Sequence, residues 1–409
     1  MPSYNCWLIF SRHHNAASFV KADLMQHKKI VIGIVAGEAS GDALGSHLMT
    51  ALYEARPDLQ FIGIGGPKMQ SAGLQVLFPM EKLAVNGYVE VLRHYREIAG
   101  IRNKLRKHFL THKPDLFIAI DAPDFNLDLE MVLKQNGIPT IHYASPSIWA
   151  WRGERIHKIK RAVSRMLCLF PHEPKIYQDA GVPVTFVGHP LADMLPDTPK
   201  RDEMREAMRI PLAAKVFALL PGSRQSEVKN LAQTYIATAK LILQRLPDAR
   251  FLVPLVSRET RKIFEQALYD FDGEQLPITL LFGHAQDAMI AADMVLVASG
   301  TATLECALLK RPMVITYRVP AITWWLMKGK GYLPYVGLPN ILCGRFVVPE
   351  LLQHDATPQN LSQAMLNLLN DKKAIAELEV VFAGLHHTLR HNTAQKAAAA
   401  ILPYLNRHD

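Results

Sequence analysis

Four short stretches of this sequence carry side chains that could do chemistry, and each follows an apolar run. Asp121 stands directly after Leu116–Ile120, in Asp121-Ala122-Pro123-Asp124-Phe125-Asn126. A carboxylate leaving a buried strand can project into a crevice and act as a general base. Asp124, before Phe125-Asn126, reads as a turn or capping residue. The two aspartates fall short of a metal site, because no third acidic or histidine ligand stands nearby, and no metal is expected. Leu220-Pro221-Gly222-Ser223-Arg224 and Ala298-Ser299-Gly300-Thr301-Ala302-Thr303-Leu304-Glu305 suit a different task. A Ser-Gly-Thr turn opening a helix offers backbone N–H groups and the positive dipole end to a diphosphate. Arg224 adds a permanent charge able to meet phosphate bidentately. Glu305, in the first turns of the same helix, can accept hydrogen bonds from a sugar diol. Neither loop is a G-x-x-x-x-G-K-[ST] phosphate loop, which argues against nucleoside triphosphate hydrolysis. The fourth stretch is Gly37-Glu38-Ala39-Ser40-Gly41-Asp42, between a strand and a helix. His142 and His189 are compatible with ligand contact or with a purely structural place.

These loops need rigid elements behind them, and the sequence supplies an alternation of strands and helices. Ile30–Val35 is continuously apolar, as a strand covered on both faces must be. Strands are expected again at Phe61–Ile64, Leu116–Ile120, Pro139–Tyr143, Met166–Phe170 and Val184–Val187, with helices at Ala43–Ala55, Ile101–Leu110 and Leu127–Gln135. Pro196-Asp197-Thr198-Pro199 interrupts the pattern, which then restarts. A helix at Arg201–Arg209 leads to a strand at Lys215–Leu220 and a helix at Val228–Arg245. Strands at Phe251–Pro254, Ile278–Phe282, Met294–Val297 and Met313–Thr316 follow. This predicts two doubly wound parallel-sheet domains, whose ligands bind outside the carboxyl ends of the strands. The boundaries expected are an extension at 1–28, a first domain at 29–192, a second at 193–380, and a helical segment at 381–409 that crosses back to the first domain. Residues 1–28 read as a flexible extension, since the first core strand follows Lys29 and Met25 would make a natural start.

Composition bounds the rest. The 409 residues are 49% hydrophobic and 20% charged, which excludes a disordered chain or a fibrous repeat. Four scattered cysteines without a C-x-x-C pair argue against a disulfide framework or zinc cluster and for a reducing compartment. No apolar run reaches the roughly 18 residues of a membrane span. The formal charge of +9 favours anionic partners. It is concentrated in two clusters, Arg93–Lys113 and Arg152–Arg165. A nucleic-acid binder would use such clusters, yet would leave the ordered loops at the strand ends without a role, so no nucleic-acid partner is expected.

Taken in order, GEASGD (37–42), IDAPDFN (120–126), IHYASPSIWAWR (141–152), VGHP (187–190), LLPGSR (219–224), ASGTATLE (298–305) and GLPN (337–340) make the chain similar to the lipid-A-disaccharide synthases. The resemblance runs from about Lys29 to the C-terminal region. It implies the GT-B class of glycosyltransferase, two Rossmann-like domains facing a cleft. It also implies an inverting, metal-independent reaction without a cofactor. The 2,3-diacylglucosamine of a UDP-sugar would pass to 2,3-diacylglucosamine 1-phosphate, giving a β(1→6) disaccharide 1-phosphate and UDP. Asp121 would be the base. Gly222, Ser223, Arg224, Ser299, Gly300, Thr301 and Asn340 would hold the diphosphate, and Glu305 the ribose. Glu38, Ser40, Asp42, Asp124, Asn126 and His189 would line the acceptor cleft. Another transferase of this fold, such as the one making lipid II, or a UDP-sugar epimerase would share the nucleotide site.

The same resemblance implies acylated substrates, hence a cytoplasmic protein resting on the anionic inner face of the inner membrane, and it leaves a homodimer open. Val91, Tyr95 and Ile98, with Leu92 beside them, recur at helical spacing, flanked by Arg93 and Arg96. That is the composition of an interfacial helix. Ile322–Met327 is a second apolar, aromatic candidate. Asn86-Gly87 stands where the family pattern has Met-Gly.

Overall fold

A computed structural model describes residues 29–83, 88–319 and 332–405, with the side chains of 88–95 excepted. The expectations for residues 1–28, for Asn86-Gly87, for the side chains of Val91, Leu92, Arg93 and Tyr95, and for Ile322–Met327 lie outside the described residues.

The apolar runs form two wholly parallel sheets. The first holds β1 (Ile30–Ala36), β2 (Leu59–Ile64), β3 (Gln75–Val76), β4 (Leu116–Ile120), β5 (Thr140–Tyr143), β6 (Arg165–Cys168) and β7 (Val184–Phe186), in the order 3-2-1-4-5-6-7. The second holds β8 (Val216–Leu220), β9 (Arg250–Leu255), β10 (Ile278–Phe282), β11 (Met294–Ala298), β12 (Met313–Tyr317) and β13 (Glu350–Leu352), in the order 10-9-8-11-12-13. Every residue of β4, β5, β8 and β11 is buried, which is why β4, β8 and β11 read as unbroken apolar runs rather than alternating ones. The edge strands β3 and β13 are only two and three residues long, too short to leave a pattern.

Helices reach further toward the strands than periodicity suggests. The first spans Ala39–Ala55 and the third Tyr88–Thr111. Gly41 and Gly45 weaken the first turns as a helix signal, but both are packing positions. A Cβ on Gly45 would stand 2.6 Å from Met69 Sδ and 2.8 Å from Ile120 Cδ1, so this helix lies closer to the sheet than any larger residue would allow. Within Tyr88–Thr111, Ile101, Leu105 and Phe109 are buried in the core, and Ile98 is partly packed against it. Ile98 therefore continues the inward face, which corrects its expected place on an outward apolar stripe. Arg96 is exposed.

The chain end returns to the first sheet. Helix Thr393–Ile401 packs on helix Ala39–Ala55, with Ala397, Ala398 and Ile401 in the same core cluster as Leu44, Leu48 and Leu52. The crossing is clamped at the connection between the two sheets. Asp193 accepts from the backbone N–H groups of His391, Asn392 and Thr393 at 3.0, 3.0 and 2.7 Å. Arg390 donates to the carbonyls of Ala192 and Leu195 at 2.8 Å each.

The returning helix should therefore contribute to stability through burial. Ile401→Ala, at a site with 0% exposure, is expected to lower the unfolding free energy by about 2–5 kcal/mol. Val380→Ala, at 74% exposure, should stay within about 0.5 kcal/mol in the same denaturant titration.

Candidate active site

Strand order decides where a ligand can enter. In the first sheet β1 lies between β2 and β4, so the chain winds one way after β1 and the other way after β4. In the second sheet β8 lies between β9 and β11 in the same manner. Loops leaving two such strands diverge and open a crevice at the carboxyl edge. The four chemically suggestive stretches are the loops after β1, β4, β8 and β11. They form one switch-point pair in each sheet. The first pair is in contact, since a Cβ on Gly37 would stand 3.0 Å from Ala122 Cβ.

At the first crevice the chain leaves β4 through two consecutive left-handed residues, Asp121 (φ 51) and Ala122 (φ 45). That conformation costs on the order of 1–2 kcal/mol for each non-glycine residue. It is held from three sides. The Asp121 N–H donates to the Tyr143 carbonyl at 2.9 Å, the Asn126 amide donates to the Asp121 carbonyl at 2.8 Å, and Pro123 opens helix Pro123–Gln135. Asp121 is half-buried. Asp124 points elsewhere: its side chain is 82% exposed and ion-paired with Arg155, while Arg102 donates to its carbonyl. Glu38 is half-buried and Ser40 exposed at the start of helix Ala39–Ala55, beside this turn in the sheet order.

Three residues expected at the cleft are interior instead. Asp42 is 3% exposed, and its carboxylate accepts from the N–H groups of Gly66, Lys68 and Met69, so it caps helix Pro67–Ser71. Asn126 is fully buried under Asp121. His189 caps helix Pro190–Met194, its Nδ1 accepting from the Leu191 N–H, and stacks on Phe170. Burial lowers its pKa to about 4 against the opposing charge of Asp193, so the ring is neutral near pH 7. His142 is fully buried on β5 and bound to Glu130.

The second crevice is built from β8 and β11. Arg224 precedes helix Gln225–Arg245 and keeps its guanidinium largely in solvent, 53% exposed and 3.8 Å from Glu227. The N–H groups of Ser223 and Arg224 both donate to Glu227 Oε2, at 3.0 and 3.1 Å. A carboxylate of the chain thus occupies the amides of Ser223 and Arg224 that the sequence offered to phosphate, while both residues remain exposed. After β11, the Ser299 N–H binds the Thr316 carbonyl and its hydroxyl binds the Val336 carbonyl. Gly300 and Thr301 remain exposed at the N-terminus of helix Thr301–Leu308. Glu305 is half-buried; burial raises its pKa against the hydrogen bond that Gln286 donates at 3.3 Å.

Asn340 is corrected as well. It is fully buried, accepts from the N–H groups of Val347 and Val348, and donates to the Val348 carbonyl and to Glu350. Those four bonds satisfy its amide completely, leaving nothing for a diphosphate. It holds the turn beyond Gly337, which Glu350 also pins through the Val336 and Gly337 N–H groups.

An aromatic column that the sequence only hinted at runs along the ends of β5 to β7. The Trp149 ring meets His172 edge-on at 4.9 Å; Phe170 stacks between His172 and His189. Glu173, 1% exposed, ties the column to the backbone. It accepts from Trp149 Nε1 and from the N–H groups of Leu169 and Phe170. Glu130, Glu173 and Glu227 carried no sequence signal, because each reads as an ordinary helical glutamate.

Comparison with known proteins shows the family and the fold. The lipid-A-disaccharide synthetase family model matches residues 32–402. A lipid-A-disaccharide synthase of Methylobacillus flagellatus is 61% identical over 374 residues, 91% of this chain and 99% of that protein. Another, of Aromatoleum aromaticum, is 60% identical over 376 residues, 92% of this chain and 96% of that protein. The crystal structure of the glycotransferase of kitacinnamycin, 16% identical, superposes with a TM-score of 0.62 over 92% of this chain and 99% of that one, a likeness of fold.

Burial raises the Glu173 pKa from 4.5 to about 7, outweighing the hydrogen bonds it accepts. Between those values the folded state holds the proton more tightly than the unfolded chain, so this group's contribution to stability falls as pH rises through that window and levels off above it. Glu173→Gln resembles the protonated carboxyl and removes the slope. Relative to the native protein, the variant is expected to gain stability between about pH 5 and about pH 7.5 in urea unfolding.

Proposed function

Since the chain belongs to the lipid-A-disaccharide synthetase family, and is a glycosyltransferase that makes the lipid A disaccharide on a GT-B fold, we propose that its two switch-point crevices divide the reaction between them. The unit of residues 29–192 takes the acceptor, 2,3-diacylglucosamine 1-phosphate. The unit of residues 193–380 takes UDP-2,3-diacylglucosamine, with the segment 381–409 joining it to the first. The observation carrying this reading is that each pair of chemically suited loops leaves adjacent strands at a reversal of strand order.

Asp121 accepts the proton of the acceptor's 6-hydroxyl as that oxygen bonds to the anomeric carbon of the donor. The bond from that carbon to the diphosphate breaks with its electron pair on the leaving UDP. Attack from the face opposite UDP inverts the anomeric centre. Arg224 and the exposed N–H groups of Gly300 and Thr301 meet the diphosphate, where negative charge grows, and Glu305 accepts from the ribose hydroxyls. Fixed geometry and charge supply the rate, since no covalent intermediate is needed. Asp121 is favoured over Asp124 because the Asp124 carboxylate is engaged by Arg155. Glu38 and Ser40, at the neighbouring strand end, serve the acceptor.

Both substrates carry acyl chains, so the first domain meets a membrane surface. No helix among the described residues is long and apolar enough to cross one. We assign the contact to the start of helix Tyr88–Thr111, through Val91, Leu92, Tyr95, Arg93 and Arg96, on the anionic cytoplasmic face of the inner membrane.

Asp121→Asn is expected to lower kcat by roughly 10²–10⁴ while UDP binding survives, and Asp124→Asn to remain active. Arg224→Ala and Glu305→Ala should each weaken UDP binding by about 1.5–3 kcal/mol in calorimetry. An active Asp121→Asn with a dead Asp124→Asn would reverse the assignment. Vesicle co-sedimentation tests the surface: binding should require anionic lipid, weaken with salt, and drop when Leu92 and Tyr95 become serine. Undiminished binding by that folded variant removes the helix start from the contact.

A further inference from the structure

Behind Asp121 the first domain buries a polar cluster that this reaction leaves unused. Asn126 and Glu130 stand four residues apart on helix Pro123–Gln135, hence on one face. That face meets β5, where His142 Nδ1 and Glu130 Oε2 are 2.9 Å apart with both side chains at 0% exposure. The Asn126 amide donates to the Asp121 carbonyl at 2.8 Å. The second polar atom of each side chain, Asn126 Oδ1, Glu130 Oε1 and His142 Nε2, is buried with no partner among the described residues.

Such a cluster is a poor device for stability. Desolvation offsets the attraction of a fully buried ion pair, and an apolar pair of similar volume would hold the helix on the sheet at least as well. Each unpartnered atom costs about 1–3 kcal/mol more. Its position gives it another use. Strand register sets Ala119 beside His142 and Ile120 beside Tyr143, so Asp121 leaves the sheet at the next step. Burial alone would keep the His142 ring neutral; the Glu130 carboxylate, its hydrogen bond and then the charge of Asp121 outweigh it and raise the pKa. The Asp121 carboxylate is therefore close enough to be felt at the ring.

We propose that Asn126, Glu130 and His142 are positioning residues for Asp121: Asn126 holds the left-handed turn that aims the carboxylate, and the Glu130–His142 pair sets a fixed dipole behind it. The inference rests on Asp121 being the base. A carboxylate on a freely turning loop would sample many directions, whereas one fixed by its own backbone and by a buried dipole keeps the direction that proton transfer needs.

The test uses the full-length protein and reads kcat, acceptor KM, UDP Kd and melting temperature. The variants are Asn126→Ala, Glu130→Gln and His142→Gln, each alone and combined with Asp121→Asn, together with the apolar double variant Glu130→Leu/His142→Leu. Each single change is expected to lower kcat by about 10²-fold. Acceptor KM and UDP Kd should stay within about twofold. No further loss is expected in the Asp121→Asn background. The apolar double variant should melt no lower than the native protein yet keep the low kcat. Native kcat in that double variant, a fall only in its melting temperature, or losses that multiply with Asp121→Asn would overturn the proposal. Normal turnover by Asp121→Asn itself would instead remove the base on which it rests. A dead Asp121→Asn beside an active His142→Gln would sink the positioning role alone.

Discussion

A parallel sheet places the carboxyl ends of all its strands at one edge, and its crossovers cover both faces. The edge is closed wherever the chain keeps winding in one direction and open only where the winding reverses. Here that happens between β1 and β4 and again between β8 and β11. The placement of the candidate site follows from those two reversals. They decide which loops diverge, which helix N-termini stand at the divergence, and which carboxylate follows a buried strand there.

The loops at these points combine strain with support. Asp121 and Ala122 adopt a conformation that L-residues avoid, and their backbone is held by Tyr143, Asn126 and the start of a proline-led helix. The second crevice is held by carboxylates. Glu227 binds the amides after β8, and Glu350 pins the turn that receives the Ser299 hydroxyl. In each case a buried or half-buried acceptor satisfies the inner backbone N–H groups and leaves the outermost groups to solvent. Exposed positions at a rigid edge can bind ligand without first being ordered, which saves the entropy that a floppy loop would lose.

The connection between the sheets shows the same economy of contacts. Asp193 caps the final helix, Arg390 binds the carbonyls of the connection, and His386 Nε2 lies 2.8 Å from the Ala192 carbonyl. The last helix then buries its apolar face on the first sheet's cluster. The chain thus crosses between its two halves twice, side by side.

The sequence by itself determined the fold class, nearly all the strands and the four loops at the switch points. Burial on both faces leaves unbroken apolar runs, and a strand-to-helix turn demands small or capping residues, so both features are written locally. It also separated Asp121 from the remaining acids as the one directly after a strand. Tertiary structure decided which polar residues of those loops face outward. Asp42 finds its partners at Gly66, Lys68 and Met69, Asn340 at Val347, Val348 and Glu350, and Glu130 at His142. In one dimension, Asp42 and Asn340 look as available for a ligand as Arg224, and Glu130 reads as an ordinary helical glutamate. A buried polar group must pair with whichever backbone or side-chain group lacks a partner, and that need arises only once distant segments have packed. The same packing turned Ile98 inward, because the core set by Ile101, Leu105 and Phe109 extends one turn further than helical spacing alone can tell.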